Sequence, residues 1–290
     1  SAWIPTQDQN VTISAKVLDN QDSKIQFLQP AVTVPANSQQ TISAQLFVGP
    51  KLLEQMEAAA PGLEKNMDLS WVWWIGLPLY KMLKFFFGLV GNWGLAIIMI
   101  TIVVKTILYP LSAKQYKSAA AMRRLQPKMQ RLKERYGEDK QRMQQEMMKM
   151  YKEEGANPLG GCLPMLVQFP IFIALYYVLF EAVELRHAPF FGWIQDLSVQ
   201  DPFFILPLLM GASMYLMQKM QPVAPTMDPM QQKMMQYLPV MFTVFMLFFP
   251  AGLVLYWLTN NLISIAQQKY VTNKIEKQYA EAALSKKKKR

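Results

Sequence analysis

The stretch Trp93-Gly-Leu-Ala-Ile-Ile-Met-Ile-Thr-Ile-Val-Val-Lys-Thr-Ile-Leu-Tyr109 has the length and apolar composition of a membrane span, yet it contains a lysine, Lys105. A lone ammonium in hydrocarbon costs roughly 2.5–3.5 kcal/mol on insertion scales, so it normally faces a partner or a water-filled space. One interpretation is that Lys105 is functional. The other is that its side chain reaches the headgroups at the end of the helix, because Pro110 follows closely.

Composition points to several spans joined to large water-exposed parts. Of the 290 residues 52% are hydrophobic, yet the mean hydropathy is only +0.07. The net charge of +10 fits a nucleic acid, a ribosome or anionic lipid as partner. In a chain with membrane spans, the positive charge more simply marks cytoplasmic loops.

Catalytic and metal-binding motifs are missing from the sequence. The chain has one cysteine, Cys162, and one histidine, His187, which excludes an internal disulfide and most metal-site and hydrolase schemes. It lacks Gly-x-Ser-x-Gly, His-Glu-x-x-His and a phosphate-binding glycine loop. We interpret Cys162 as a packing residue and His187 as a surface residue. The sequence therefore predicts a protein that is not an enzyme and needs no metal or other cofactor.

Residues 1–60 differ in character from the rest of the chain. Val11–Val17 and Ser43–Val48 alternate apolar and polar residues between turn residues, which predicts antiparallel strands. Because such strands are too few for a sandwich, we expect them to be the end of a larger β domain whose N-terminal part is missing. Residues 61–91 are predicted to be a linker and an aromatic, lysine-containing helix at the membrane interface.

Charge asymmetry sets the orientation of the predicted spans. Segment 112–158 holds 12 Lys/Arg against 6 Asp/Glu, and segment 269–290 holds 8 against 2. Both segments, and the loop 220–235, are therefore predicted to be cytoplasmic, with 184–201 and the β segment outside. A sixth span at 71–91 would place the β segment in the cytoplasm and leave the later loops where they are. The lysines of 71–91, together with Gly76 and Pro78, argue against such a span. The five predicted spans are 92–111, 163–183, 202–219, 236–250 and 251–268.

Segment 112–158 is predicted to be a helical hairpin with basic flanks. Met122, Leu125, Met129 and Leu132 repeat at helical spacing, as do the methionines of the second half. The hairpin has the charge to bind ribosomal RNA or anionic lipid, or it is only a solvated helix pair. The sequence does not choose between these.

Polar residues cluster in the cytoplasmic halves of the spans, whereas the outer halves are almost purely apolar. This asymmetry predicts a cavity that is wetted from the cytoplasm and sealed toward the outside. The alternative is that these side chains only hold helices together, at about 0.6 kcal/mol per pair. No carboxylate lies in the inner half of a span, so the counter-charge of Lys105 would have to arrive on a substrate. The polar residues in question are Thr101, Lys105, Gln168, Ser213, Thr259, Asn260 and Asn261.

Several short motifs resemble the YidC/Oxa/Albino family of membrane protein insertases. The strongest is Asn157-Pro-Leu-Gly-Gly-Cys-Leu-Pro164, followed by Gln168-Phe-Pro-Ile-Phe172. Supporting motifs occur in the same order over about 71–270: Tyr109-Pro-Leu111, Gln126-Pro127, Val183-Glu-Leu-Arg186, Asp228-Pro-Met-Gln-Gln232 and Phe249-Pro-Ala-Gly-Leu-Val-Leu-Tyr256.

The resemblance implies an α-helical integral membrane protein with five core spans around a hydrophilic groove that is open to the cytoplasm. It also implies a cytoplasmic helical hairpin and makes residues 1–60 the remnant of a periplasmic β-sandwich domain of a Gram-negative member. Lys105 matches a groove position at which the family carries arginine. A lysine there should still attract anions, but it cannot bind a carboxylate through two parallel hydrogen bonds as arginine does. Thr101 matches a polar family position, and Tyr256 and Trp257 match an aromatic pair.

The sequence and the resemblance together predict an insertase or chaperone of the bacterial inner membrane, with a cytoplasmic C-terminus. A polar tail would enter the groove lined by Lys105, Thr101, Gln168, Ser213, Asn260, Tyr256 and Trp257. The apolar segment would then slide along Phe169, Ile173, Val240 and Val244 into lipid. The partners expected are nascent membrane proteins, the Sec translocon, the ribosome and anionic lipid, the last two through the hairpin and the tail Lys286–Arg290. The alternatives are a small-anion transporter or channel using Lys105, and a purely structural assembly scaffold.

Overall fold

The computed structural model describes residues 2–5, 11–17, 23–66, 69–136, 139–154, 163–221 and 229–288, and the chain forms two compact units, Ser1–Met67 and Asp68–Arg290. Most of the glycine-rich motif that begins at Asn157, with Cys162 in it, lies outside the described residues, as does Asp228 of a supporting motif.

The first unit contains two antiparallel strand pairs. β1 (Ala2–Pro5) pairs with β4 (Ala44–Phe47), and β2 (Thr12–Val17) pairs with β3 (Ser23–Leu28). The ring of Trp3 stacks on that of Phe27 at 4.6 Å between centroids, which joins the two pairs. Every residue of β2 is exposed, so neither face of its hairpin is covered by the described residues. A short helix, α1 (Leu53–Ala59), follows the strands.

In the part that the structure describes, the second unit is built mainly from helices. Its long helices are α2 (Trp73–Val90), α3 (Trp93–Ile107), α4 (Tyr109–Tyr136), α5 (Lys140–Glu153), α6 (Leu163–Glu181), α7 (Ile205–Lys219), α8 (Pro229–Met246) and α9 (Ala251–Lys288).

Local signals explain the breaks around α3. Gly91 ends α2 in the left-handed conformation (φ 63°), which glycine adopts without strain. Asn92 then caps α3 by accepting a hydrogen bond from Leu95 N at 3.0 Å. At the other end, Pro110 lies in the first turn of α4, where its missing N–H leaves no helical bond unmade. The chain therefore bends by 68° between α3 and α4.

Among the described residues, no single helix is both long and apolar enough to cross a membrane, and the bent pair α3–α4 passes that test only as a pair, by length and composition.

Helix α9 is the central element of the second unit. It packs against α3, α4, α6 and α7, whereas α8 packs mainly on α7. Gly211 of α7 allows the close contact with α8, because a Cβ there would lie 2.0 Å from Thr243 Oγ1. At the far end of α4, Leu125 and Met129 form a small core with Met150 and Tyr151 of the hairpin partner α5.

The loop between α6 and α7 closes one end of the helical unit around a buried carboxylate. Asp201 is fully buried and accepts hydrogen bonds from Trp193 Nε1 (2.9 Å), Phe203 N (3.1 Å) and Leu206 N (2.7 Å). Three donors satisfy this charge, and the bond to Leu206 also fixes the start of α7. Loop carbonyls accept from the first amides of α9, Ala251 N and Gly252 N, at 2.7 and 2.9 Å.

Candidate functional site

Lys105 lies inside the helical unit and not at its surface. Only 4% of the residue is exposed, and its ammonium donates a hydrogen bond to Ser264 Oγ of α9 at 2.9 Å. Within the described residues, no carboxylate forms an ion pair with it and no other hydrogen bond from its Nζ is present. The site therefore holds a buried cation next to a neutral partner, which is uncommon because desolvation of a charge is costly.

A chain of hydrogen bonds links Lys105 to helix α6 through α9. Ser264 Oγ, which accepts from Lys105, donates to the carbonyl of Asn260 one turn earlier at 2.7 Å. The side chain of Asn260 in turn accepts from Gln168 Nε2 at 3.1 Å. Three of the predicted groove residues, Lys105, Gln168 and Asn260, are thus brought together by Ser264, which was not among them.

The predicted groove residue Ser213 belongs to a second contact, between α7 and α9. Its hydroxyl accepts from Asn261 Nδ2 at 3.1 Å and donates to Met210 O at 2.6 Å. Both Ser213 and Asn261 are buried. Ser213 and Asn261 are hydrogen-bonded to each other, which is the arrangement of polar residues that hold two helices together.

Two glutamines extend the polar side of α9 beyond Ser264. Gln267 Nε2 donates to the carbonyl of Lys105 at 3.4 Å, and its Oε1 is buried with no hydrogen-bond partner among the described residues. Gln268 Nε2 donates to Met220 O at 3.1 Å. Sequence reasoning missed Ser264 and both glutamines. Ser264 follows Asn260 by four residues, and the glutamines follow Ser264 by three and four, which places all of them on one helical side.

The remaining predicted groove residues lie around this polar core. Thr101 is buried one turn before Lys105, and its hydroxyl donates to Ile97 O of its own helix at 2.6 Å. Tyr256 is buried as well and stacks on Phe172 of α6, with 6.2 Å between ring centroids. Trp257 lies edge-on to Phe172 at 4.5 Å.

Trp257 also joins α9 to α8. Its ring lies 4.6 Å from that of Phe242, between centroids, so that one indole contacts aromatic residues of both α6 and α8. These are the two helices for which the sequence predicts a path for apolar substrate segments. Such ring contacts contribute about 0.5–1.5 kcal/mol each beyond the burial of their area.

The four predicted slide residues lie on those two helices, and three of them are exposed. Phe169 of α6 is 59% exposed, and Val240 and Val244 of α8 are also exposed. Ile173 is half-buried. Exposed apolar faces of this size on a soluble surface would be a site of association, and in lipid they are the ordinary outer surface of a helix.

Outside the helices predicted to span the membrane, the loop after α6 contains an ion pair between Asp196 and His187. Asp196 Oδ2 lies 3.2 Å from His187 Nδ1, and its Oδ1 accepts from the hydroxyl and backbone N–H of Ser198. Partial burial alone would raise the pKa of Asp196, but these hydrogen bonds and the nearby imidazole together lower it. Among the described residues, no group of three or more His, Cys, Asp or Glu side chains could hold a metal ion.

The geometry of these side chains fits the binding of a polar group. The site offers a cation, hydroxyls and amides inside an apolar helical unit, and none of these groups forms a nucleophile–base pair. Such a set can bind a polar or negatively charged group and lower the cost of taking it out of water.

Comparisons with known proteins agree in identifying the family. The family model described as "60Kd inner membrane protein" matches residues 85–278, and the model described as "YidC periplasmic domain" matches residues 1–82. Membrane protein insertase YidC from Actinobacillus pleuropneumoniae serotype 3 (strain JL03) is 59% identical over 277 residues, which are 96% of this chain and 51% of that protein. The YidC of Haemophilus influenzae (strain PittEE) is 59% identical over 279 residues, with the same two coverages.

A solved structure gives the same answer at the level of the fold. The "Active YidC insertase crystal structure with the first transmembrane domain resolved" superposes with a TM-score of 0.56 at 30% sequence identity, covering 74% of this chain and 49% of that one. The chain spans about half the length of the curated relatives it matches. Because the inner-membrane family model alone covers more than half of its residues, the chain belongs to the 60Kd inner membrane protein family, the family of the YidC insertases.

Proposed function

We propose that this chain forms the core of a membrane protein insertase of the bacterial inner membrane. The observation that carries the proposal is the buried ammonium of Lys105, which has a neutral partner in Ser264 and no carboxylate among the described residues. A buried charge without a counter-ion inside a membrane protein is by default a candidate binding site for an opposite charge. The relatives named as insertases supply the class of substrate, a nascent membrane protein.

In this proposal the polar tail of the substrate enters between α3, α6 and α9 from the cytoplasm. Lys105, Ser264, Asn260 and Gln168 offer charge and hydrogen bonds that replace part of its hydration. An ion pair at 4 Å is worth about 1 kcal/mol in water and about 4 kcal/mol at the effective dielectric of a partly buried site. An acidic tail therefore gains more from Lys105 than it would from a surface lysine.

The apolar segment of the substrate then leaves sideways into lipid along α6 and α8. Support comes from the exposed apolar faces of the two helices, which include Phe169, Val240 and Val244. The step needs no energy source other than the transfer of apolar surface from water to lipid, at roughly 25 cal/mol per Å². Ring contacts through Trp257 join the two helices at the level of Tyr256.

The cytoplasmic hairpin and the end of α9 form the proposed contact with the ribosome or with anionic lipid. Arg124 of α4 lies 3.7 Å above the ring of Tyr279 of α9, so the two basic segments lie side by side. Clustered cations of this kind attract polyanions over about one Debye length, near 8 Å at physiological salt. Cooperation with the Sec translocon and a chaperone activity belong to the same proposal.

The test uses proteoliposomes that contain the full-length protein and a single-span substrate with an acidic N-terminal tail. We expect Lys105→Arg to keep insertion near the wild-type level and Lys105→Glu to reduce it at least tenfold, because like charges then meet in the groove. Lys84→Glu, in helix α2, is the matched charge control. Equal insertion by the two Lys105 variants would overturn the electrostatic role.

A second measurement separates the insertase from the anion transporter. A photo-crosslinker placed at Phe169 should react with a ribosome-bound nascent chain that carries the substrate span. Chloride or phosphate flux through the same proteoliposomes should stay at the level of protein-free vesicles. Flux without crosslinking would favour the transporter.

A further inference from the structure

We infer that Gln267 and Lys105 together bind a backbone peptide group of the substrate tail, so that the site recognises neutral polar tails as well as acidic ones. The inference rests on the proposed insertase function and names the chemistry that this function recognises. It assigns Gln267, which carries no predicted role, as a residue that determines specificity. The juxtaposition that carries it is an unused donor and an unused acceptor at one contact between α3 and α9.

The donor side of this pair is the ammonium of Lys105. An ammonium has three N–H donors. Within the part of the chain that the structure describes, one of them is used, in the bond to Ser264 Oγ. Ser264 Oγ accepts this one bond from Lys105 and donates its own proton to Asn260 O. Lys105 therefore keeps donor capacity in a place where only 4% of the residue meets solvent.

The acceptor side is Oε1 of Gln267. The amide nitrogen of this side chain is held by the carbonyl of Lys105, which fixes the side chain at the α3–α9 contact. Its oxygen is buried and has no partner among the described residues. A buried acceptor without a partner costs about 1–3 kcal/mol. A ligand that donates a hydrogen bond to this oxygen therefore removes a cost that water does not relieve.

The combination matches a peptide group better than it matches a carboxylate. The backbone of a tail offers C=O groups that accept from Lys105 and N–H groups that donate to Gln267. A carboxylate would satisfy the ammonium and leave Oε1 without a donor, since it only accepts when ionised. Because every residue of a tail other than proline has the same backbone groups, recognition of this kind does not depend on the tail sequence. That property suits a site through which many different tails must pass.

The experiment compares two substrates in proteoliposomes that contain the full-length protein. One has an acidic tail, and in the other every Asp and Glu of the tail is replaced by Asn and Gln. Gln267→Met removes the acceptor at nearly constant volume. We expect it to lower insertion of both substrates by the same factor, about fivefold, the scale of one net hydrogen bond. Lys105→Met should instead reduce the acidic substrate more strongly than the neutral one.

The matched control is Gln268→Met on the adjacent residue, whose amide binds Met220 O of α7 and not Lys105. Any loss that comes only from weakened helix packing should be seen with this variant too. We expect Gln268→Met to insert both substrates more efficiently than Gln267→Met does. Equal losses in the two variants would overturn the inference.

A chemical change in the substrate gives a readout that a purely structural role would not move. Tails prepared by peptide ligation can carry N-methyl groups on their backbone amides, which removes the N–H that Gln267 would accept. The wild-type protein should insert the unmethylated tail about fivefold better, the scale of one hydrogen bond, and Gln267→Met should treat both tails alike. A preference that persists unchanged in Gln267→Met would overturn the inference while leaving the insertase proposal intact. If the wild-type protein inserts no substrate beyond protein-free liposomes, the proposed function fails and the inference falls with it.

Discussion

Replacing Lys105 by methionine should make the protein more stable while it makes insertion of acidic tails worse. Methionine keeps the length and most of the volume of the lysine stem but removes the charge. Most substitutions at buried positions destabilise proteins. The opposite sign is expected here because Lys105 is buried beside a neutral partner and no carboxylate of the described chain offsets its charge.

The magnitude follows from two opposing contributions. Removing the ammonium relieves a cost of roughly 2.5–3.5 kcal/mol, the insertion penalty of a lysine at the centre of a span. It also removes one hydrogen bond from a charged donor to Ser264, worth about 1.5–3 kcal/mol. Ser264 keeps its bond to Asn260 O, and the bond from Gln267 goes to the Lys105 backbone, so both survive. The difference is a gain of about 1 kcal/mol in the free energy of unfolding.

The assay is reversible unfolding of the purified protein in mixed micelles, followed by circular dichroism as the fraction of denaturing detergent rises. Lys105→Arg is the control that keeps the charge and should not be stabilised. Ser264→Ala is the complementary variant, because it removes the partner and leaves the ammonium. We expect a loss of about 1–3 kcal/mol for it, the cost of a buried donor without an acceptor. A loss of more than about 1 kcal/mol in Lys105→Met would refute the reasoning, since the ammonium would then stabilise the fold.

Substitutions at four other positions test the packing and the loop in the same unfolding assay. Gly94→Ala should cost several kcal/mol because its Cβ would lie 2.0 Å from a ring carbon of Phe190, whereas Gly88→Ala, with no atom within 4 Å, should stabilise α2 by up to about 1 kcal/mol. Asp201→Ala should cost about 3–5 kcal/mol by leaving three N–H donors unpaired, and Asp201→Asn, which keeps one acceptor oxygen, should cost less. Because the folded-state pKa of Asp196 lies below its usual 3.8, its contribution to stability is complete above that value and is lost as the pH falls through the folded pKa. Asp196→Asn should therefore weaken the decrease in stability between about pH 5 and pH 2, and an unchanged pH profile would contradict this assignment.

Local signals in the sequence were sufficient to place several of the helices and strands. Strands were predicted in Val11–Val17 and Ser43–Val48, and the structure has β2 at Thr12–Val17 and β4 at Ala44–Phe47. The resemblance to the insertase family is confirmed by both family models and by the curated relatives. These features depend on short-range patterns, namely alternation, caps and motifs, which a sequence displays directly.

The partners of the polar residues could not be derived in this way. Lys105 and Ser264 are separated by 159 positions in sequence and meet only because α9 packs against α3. The sequence gives the composition of each helix, but rotation and depth of the contact depend on the packing of all neighbouring side chains. A small signal was nevertheless present, since Asn260, Ser264 and Gln267 recur at intervals of three and four residues along one helix. Extending the polar stripe past Asn260 would have found both residues.

The same contact bears on why a lysine stands where the resemblance implies an arginine. The α9 side of the site presents two oxygens near position 105, Ser264 Oγ and Gln267 Oε1. A guanidinium, with five donors in a rigid fork, could engage both of them at once and would then have fewer donors for a substrate. An ammonium bound to Ser264 alone leaves Oε1 of Gln267 unoccupied, so that donor and acceptor both remain for the tail. Lys105→Arg should therefore keep the insertion of acidic tails but reduce that of neutral ones, and an equal effect on both would show that Gln267 does not take part.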